Sequence, residues 1–391
     1  MKQSTNRILT THVGSLPRPP DLLAMIEARE AGEAFDAAAF DARLRAAVGE
    51  VVRRQAEAGI DVIGDGEMGR IGFIPYVNER LSGLEPRPNE GSESHWAHSR
   101  EHRAFPEFYR WITGLPGTAG KAPRRRWVVS GPITYRGHDA LGRDIAMLKA
   151  ALAGMPHQEA FMPAVSPANL AQWNSNEYYA SEEEYQVAIA DALNQEYRAI
   201  VESGLVLQID DPQLASSWVM HPELSLEECR RRADRSVALL NHALSGIPRD
   251  RVRYHTCYSI NIGPRVHDLE LKHIVDIMLK IEAGAYSFEA ANPRHEHEWR
   301  VWAEVKLPED RVLIPGVITH ASNLVEHPEL VAERIARFAG LVGRERVIAG
   351  ADCGFASFAT SCEVHPTIVW AKLAALVEGA RLATKALWGR A

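Results

Sequence analysis

His255-Thr256-Cys257 places two soft ligands at a spacing that chemistry can use. In the extended reading Val252-Arg253-Tyr254-His255-Thr256-Cys257, side chains alternate, so the imidazole and the thiol share one face of a strand. Neutral imidazole and thiolate both bind zinc, and a tetrahedral site would need further ligands delivered from other strand ends. Glu289 closes the apolar β-like run Ala285-Tyr286-Ser287-Phe288, and Cys353 lies in Ala351-Asp352-Cys353-Gly354, so each can supply one. Taken alone, a His-x-Cys pair is more often a satisfied core histidine beside an inert buried cysteine. Four suitable groups at three candidate strand ends argue instead for a shared ion. Asp352 would point to the opposite face of a continuing strand, which suits a structural carboxylate. Cys229, inside the helical stretch 224–233, and Cys362 sit away from strand ends and read as structural thiols.

The elements that must position these groups repeat one unit, a short β-like run ending in a polar residue and followed by a helix. The runs end near Gly14-Ser15, Asp65-Gly66-Glu67, Val165-Ser166, Gln208-Ile209-Asp210, His255-Thr256-Cys257, Phe288-Glu289, Gly316-Val317-Ile318 and Asp352-Cys353. Between them, stretches such as Phe40 to Ala58, Glu182 to Ser203, Ser225 to Ala243, Leu269 to Ala283 and Pro328 to Leu341 carry apolar residues at helical spacing. Strands alternating with helices imply parallel pairing and right-handed crossovers. Eight such units predict a (β/α)8 barrel of the α/β class, whose site lies at the C-terminal ends of the strands, where every ligand candidate falls. A ninth β-like stretch, Trp127 to Thr134, is assigned to an insertion at about residues 71–135 that passes over the mouth of a single domain spanning 1–391. Within it, Pro86 to Arg126 is rich in Pro, Gly, Ser, His and charge.

Composition narrows the function class. A chain of 391 residues with 46% hydrophobic and 24% charged residues is that of an ordinary globular protein. No apolar run approaches the roughly 20 residues of a membrane span, and Met1 to Arg7 carries no apolar signal-peptide core. The expected setting is therefore the cytoplasm, without membrane partners. Four cysteines are too few for a disulfide scaffold and would remain thiols in a reducing compartment. A net charge of −7 argues against a nucleic-acid footprint, and the basic run Lys121 to Arg126 reads as a solvated loop.

Six ordered motifs carry a resemblance: Thr11-His12-Val13-Gly14-Ser15-Leu16-Pro17-Arg18, Gly64-Asp65-Gly66-Glu67, Gln208-Ile209-Asp210-Asp211-Pro212, His255-Thr256-Cys257-Tyr258-Ser259, Pro315-Gly316-Val317 and Asp352-Cys353-Gly354. Together they resemble the catalytic domain of cobalamin-independent methionine synthase, from about residue 8 to about residue 360. The wider group, which includes epoxyalkane:coenzyme M transferase, uses a TIM barrel of the methionine synthase/uroporphyrinogen decarboxylase-like type and a zinc thiolate to alkylate a thiol. The resemblance implies Zn2+ as cofactor, with ligands on His255, Cys257, Glu289 and Cys353. It also implies a histidine near the reacting centre at His320, which as general acid would protonate the leaving group. A helix-capping or loop histidine is the competing reading of His320.

The same resemblance maps the amino-acid end of homocysteine onto Gly14, Ser15, Glu67 and Asp210. Two carboxylates at a barrel mouth favour an ammonium group, unless they pair with Arg18 or Arg70. On the donor side, Ser166 and Trp173 align with a stretch whose tryptophan stacks the folate ring, although a mid-loop tryptophan is also ordinary packing. Ser216 stands where the family has an acidic pterin anchor, so the resemblance stops short of folate. His295 and His297, just past Glu289, form a His-x-His pair that reads as solvated or as support for the ligands rather than as a second metal site.

Three functions follow. The first is a zinc-dependent thiol methyltransferase taking a small-molecule thiol, homocysteine or a similar amino-acid thiol, and a methyl donor. The second is epoxide opening by a zinc-bound thiolate, as in epoxyalkane:coenzyme M transferase. The third is a barrel that binds metal or ligand without turnover. Substrate-anchoring carboxylates beside the ligands disfavour a pure binder, and ammonium compatibility favours the methyltransferase. The sequence does not disclose the donor, the thiol, the pathway or the oligomeric state.

Overall fold

The computed structural model describes residues 1–89, 96–112, 125–258, 263–359 and 364–389. Eight short strands form one sheet: β1 (Leu9–Thr10), β2 (Val62–Ile63), β3 (Glu159–Val165), β4 (Val206–Asp210), β5 (Val252–His255), β6 (Ala285–Phe288), β7 (Val312–Ile318) and β8 (Ile348–Ala351). From β2 onward each pairs parallel with the next, and β8 pairs parallel with β1. A parallel bridge between Thr11 and Val62 joins β1 to β2 and closes the circle. The chain is a (β/α)8 barrel, as the alternating pattern predicts.

Alternation along each strand sorts the barrel interior into layers. The lowest is apolar: Leu9, Ala285, Val312, Ile314 and Ile348 form one buried cluster, and Val62, Phe161 and Val206 another. Two residues further along the strands the layer turns polar, with Gln208, Arg253 and Ser287, all buried. Two residues further still come Asp210, His255 and Glu289. Burying a guanidinium is costly unless it is fully hydrogen-bonded. Arg253 meets that demand through Gln208 Oε1 (2.7 Å), Thr11 Oγ1 (2.9 Å) and the His12 carbonyl.

The outer helices follow the sequence closely. The helix Ala37–Ala58 starts where Asp36 accepts from the amides of Ala38 and Ala39 and stops at Gly59 in the left-handed region. A reciprocal cap between Ser225 and Glu228 opens Leu226–Ala243, and Glu182–Glu202 and Pro328–Val342 match their amphipathic stretches. The stretch Leu269 to Ala283 differs: it forms one 3-10 turn (Leu271–His273) and one helical turn (Val275–Met278). Its apolar residues are buried, but they pack as a tight irregular linker between β5 and β6, because burial rather than helical period selected them.

Outside the barrel, Leu84–Pro88 pairs antiparallel with Arg125–Val129, which pairs parallel with Asn174–Asn176 beyond β3. The ninth β-like stretch therefore belongs to this small sheet. Lys121 to Arg124 and Cys362 lie outside the described residues. No helix among the described residues is long and apolar enough to cross a membrane.

Candidate metal centre and substrate rim

His255 ends β5, Cys257 follows on the same side, and Cys353 follows β8; these ends meet at the C-terminal mouth. The ligand atoms of His255, Cys257 and Cys353 all lie within 4.8 Å of one another and all three residues are buried. The two sulfurs are 3.2 Å apart. The His255 Nδ1 faces the hydroxyl of Ser287, its register neighbour on β6, at 3.1 Å. Its Nε2 is buried without a hydrogen-bond partner, a deficit worth roughly 1–3 kcal/mol. Burial, helped by the charge of Arg253, pushes the imidazole down to about 3, so it is neutral and ready to ligate. The neighbouring Cys257 sulfur, then burial, pushes the Cys353 thiol well above its usual range. One nitrogen and two sulfurs with an excess of latent negative charge fit a zinc ion, which would satisfy the orphaned Nε2 and stabilise both thiolates.

Glu289 stands beside this trio in a second group with His320 and Asp352, whose ligand atoms also lie within 4.8 Å of one another. Its Oε1 accepts from the Tyr258 amide (2.8 Å); its Oε2 accepts from Arg265 Nη1 (2.6 Å) and Asn292 Nδ2 (2.7 Å). Three of the four predicted ligands thus converge directly, while the carboxylate next to them is engaged by a guanidinium. Burial pushes Glu289 up to about 7, with Arg265 opposing. Asp352 spends its oxygens on the amides of Ala290, Ala291 (2.8 Å each) and Asn292 (2.9 Å). That clamp sets the turn carrying Glu289, a structural task. Arg265 was not foreseen: it sits in a loop at φ 56°, where sequence pattern holds no signal for a contact. Its Nη2 also lies 3.5 Å from the Nε2 of buried His320, linking Glu289 to that imidazole.

The two histidines past Glu289 part company. His297 is exposed. His295 is buried, with Nδ1 at 2.9 Å from Glu298 and Nε2 at 3.1 Å from Asp268, and its ring stacks on Tyr258 at 3.8 Å. Both nitrogens being committed to carboxylates, this pair forms no second metal site. The stack supports Tyr258, whose amide holds Glu289.

The four predicted rim residues gather on the β1, β2 and β4 ends. Gly14 has φ 144°, and a Cβ there would sit 2.5 Å from Glu67 Oε1 and 2.9 Å from Pro163; only glycine lets this backbone lie against the carboxylate. Glu67 itself adopts φ 55°, held by its amide to Asp65 (2.9 Å) and by Arg18 donating to its carbonyl (2.9 Å). Ser15 is tied to the loop after Cys353, accepting from the Ala356 amide at 3.3 Å. Asp210 is the partly exposed last residue of otherwise buried β4. Arg18 and Arg70 make no direct bond to these carboxylates: Arg18 bonds the carbonyls of Ala356 and Glu67, and Arg70 that of Pro163. Among the described residues no Lys or Arg forms an ion pair with Glu67 or Asp210; burial and then the charge of Glu67 push Asp210 well up, and burial pushes Glu67 up, with Arg70 and Arg18 opposing and Asp65 adding to it. Two such carboxylates side by side call for a cationic ligand.

On the donor side, Ser166 is fully buried and caps the helix Pro167–Trp173 by accepting from the Asn169 amide, and Trp173 closes that helix half-buried. Ser216 lies buried in Gln213–Met220.

Residues 8–105 and 130–378 match the family described as cobalamin-independent synthase, catalytic domain. A methionine synthase of Thermococcus kodakarensis is 26% identical, the match covering 97% of this chain and 94% of that one. One from Saccharolobus islandicus is 25% identical, covering 97% and 95%. Among solved structures, a B12-independent methionine synthase from Shewanella in complex with selenomethionine superposes with a TM-score of 0.74 at 17% identity, covering 98% of this chain and 100% of that one. A putative vitamin-B12 independent methionine synthase from Listeria monocytogenes gives 0.66 at 21% identity, covering 96% and 98%. With this barrel, this ordered set of strand ends and a match along nearly its whole length, the chain belongs to the cobalamin-independent synthase catalytic-domain family.

Proposed function

We propose that this protein is a zinc-dependent methyltransferase that methylates the sulfur of homocysteine or a closely similar amino-acid thiol. The observation that carries this reading is the convergence of His255, Cys257 and Cys353 within 4.8 Å, beside two rim carboxylates that lack a cationic partner among the described residues. His255, Cys257 and Cys353 would hold the ion, with Glu289 as fourth ligand when it leaves Arg265. When bound, zinc lowers the acidity barrier of a substrate thiol so that sulfur is available as the nucleophile at neutral pH. Glu67 and Asp210 hold the substrate ammonium, with the Gly14-Ser15 backbone shaping the space around it. His320 stands next to Glu289 and serves as the proton donor to the departing group. Ser166 and Trp173 form the side from which the donor enters, and the described parts of the insertion at about residues 71–135 pass over the mouth of one continuous domain. Family membership and the methionine synthases similar to this chain support the reading.

The test combines metal analysis with product identification. Cys257→Ser and Cys353→Ser should each lose stoichiometric zinc, measured by mass spectrometry of the metal, and should lose methyl transfer with it. Full zinc retention by both variants would remove the ligand assignment. Incubating the wild-type protein with homocysteine or coenzyme M against methyl-folate, small methyl donors and short epoxides should yield methionine. A coenzyme M adduct with an epoxide and no methionine would replace the methyltransferase by the epoxide-opening reading.

A further inference from the structure

Beneath the rim, one amide is oriented by a charge that never reaches the mouth. Arg253 occupies the barrel interior two residues before His255, only 1% exposed, its guanidinium lying 3.8 Å above the Phe161 ring. Its Nε donates to Gln208 Oε1 at 2.7 Å. An amide whose oxygen is fixed by a guanidinium must turn its NH2 the other way. The Gln208 Nε2 accordingly donates to Asp210 Oδ1 at 2.7 Å and to the carbonyl of Val13. Gln208 is 0% exposed, so no water competes for either contact. The remaining Arg253 nitrogens reach Thr11 Oγ1 and the His12 carbonyl. One buried guanidinium thereby ties the β1 end, which leads to Gly14 and Ser15, to Asp210 on β4.

We propose that the Arg253–Gln208 pair determines selectivity for an amine-bearing thiol, by fixing Asp210 in the orientation that receives the substrate ammonium. Gln208 and Arg253 touch neither substrate nor metal; they are positioning residues acting through Asp210. The inference rests on the proposed amino-acid thiol reading and adds to it the device that sets the preference. The consequence is specific: losing the Gln208 donor weakens the ammonium contact and leaves thiol capture at the metal untouched. Asp210 then loses a hydrogen bond that orients its charge, so the affinity for the amine-bearing ligand should fall about tenfold or more.

Two variants isolate the donor because their side effects are opposite. Gln208→Met removes it without adding charge; Gln208→Glu removes it while leaving Arg253 a carboxylate acceptor, which protects folding. Zinc-loaded protein is titrated calorimetrically with homocysteine and with 4-mercaptobutyrate, which keeps the sulfur, the carbon spacing and the carboxylate but has no amine. No methyl donor is required. Wild type should bind homocysteine the more tightly. Both variants should keep stoichiometric zinc and bind 4-mercaptobutyrate within about twofold of wild type, while the homocysteine preference shrinks about tenfold. A variant that retains the full preference, or loses both thiols equally, overturns the role of the pair. A wild type that binds both thiols equally overturns the ammonium reading of Glu67 and Asp210 itself, and the role of the pair with it.

Discussion

Glu67 holds a backbone conformation that costs a non-glycine residue on the order of 1 kcal/mol or more, and its carboxylate lies against Gly14 with no cationic partner among the described residues. Strain and a buried carboxylate with no direct ion pair, eased only by the more distant charges of Arg70 and Arg18, mark a binding group. Glu67→Gln keeps the shape and removes the charge. The Michaelis constant for homocysteine should rise about tenfold with a much smaller change in kcat, as expected for lost ground-state binding. An equal effect on 4-mercaptobutyrate would show that Glu67 does not read the amine. His295 gives a second prediction. Burial alone would lower its pKa, but Asp268 and Glu298 override that and raise it from 6.5 to about 9. Because the folded value exceeds the unfolded one, its contribution to stability is complete below about pH 6.5 and fades as pH rises through about 9. Unfolding measured for wild type and His295→Gln should therefore differ most at the acidic end of that window and converge beyond it; a constant difference would count against the imidazolium.

At the scale of elements, the site depends on how β7 and β8 approach each other. A Cβ at Gly316 would sit 2.1 Å from Asp352 Oδ1 and 2.7 Å from its backbone, so glycine is what lets Asp352 reach the amides of residues 290–292. Gly316→Ala should destabilise the fold by roughly 1–3 kcal/mol, as overpacking does, and should also weaken zinc retention by disturbing the turn that carries Glu289. Urea denaturation and a chelator competition measure the two effects; unchanged values in both would show that the strands adjust freely. The strand ends bearing the site were readable because polar residues close apolar runs, and the capped amphipathic helices were readable because cap chemistry and period coincide. The linker 269–283 was not, since its apolar residues answer to contacts from all sides and carry no usable period.

For the whole molecule, the proposed ligands come from the ends of β5, β6 and β8, so an ion bound among them would join distant parts of the closed barrel. Binding to the folded state alone stabilises it by mass action, about 4 kcal/mol at a thousandfold excess of free metal over Kd. Removing zinc with a chelator should lower the Tm of the wild-type protein and leave that of Cys353→Ser unmoved. Equal sensitivity of the two would place the metal elsewhere.

Local rules were enough to specify the alternation of strands and helices, and with it the barrel and the mouth where His255, Cys257, Glu289, Cys353, Glu67 and Asp210 all fall. Side chains two residues apart on a strand share a face whatever lies around them, which is why His255 and Cys257 could be paired before any fold was known. What a neighbouring element contributes is decided only by closure of the barrel. That Glu289 faces Arg265, that Asp352 serves amides across the sheet, that Glu67 and Asp210 form no direct ion pair among the described residues, and that Arg253 orients Gln208 beneath them all depend on contacts between residues 24 to 242 positions apart. Such contacts form between groups with no common period or turn, so only three-dimensional packing selects them.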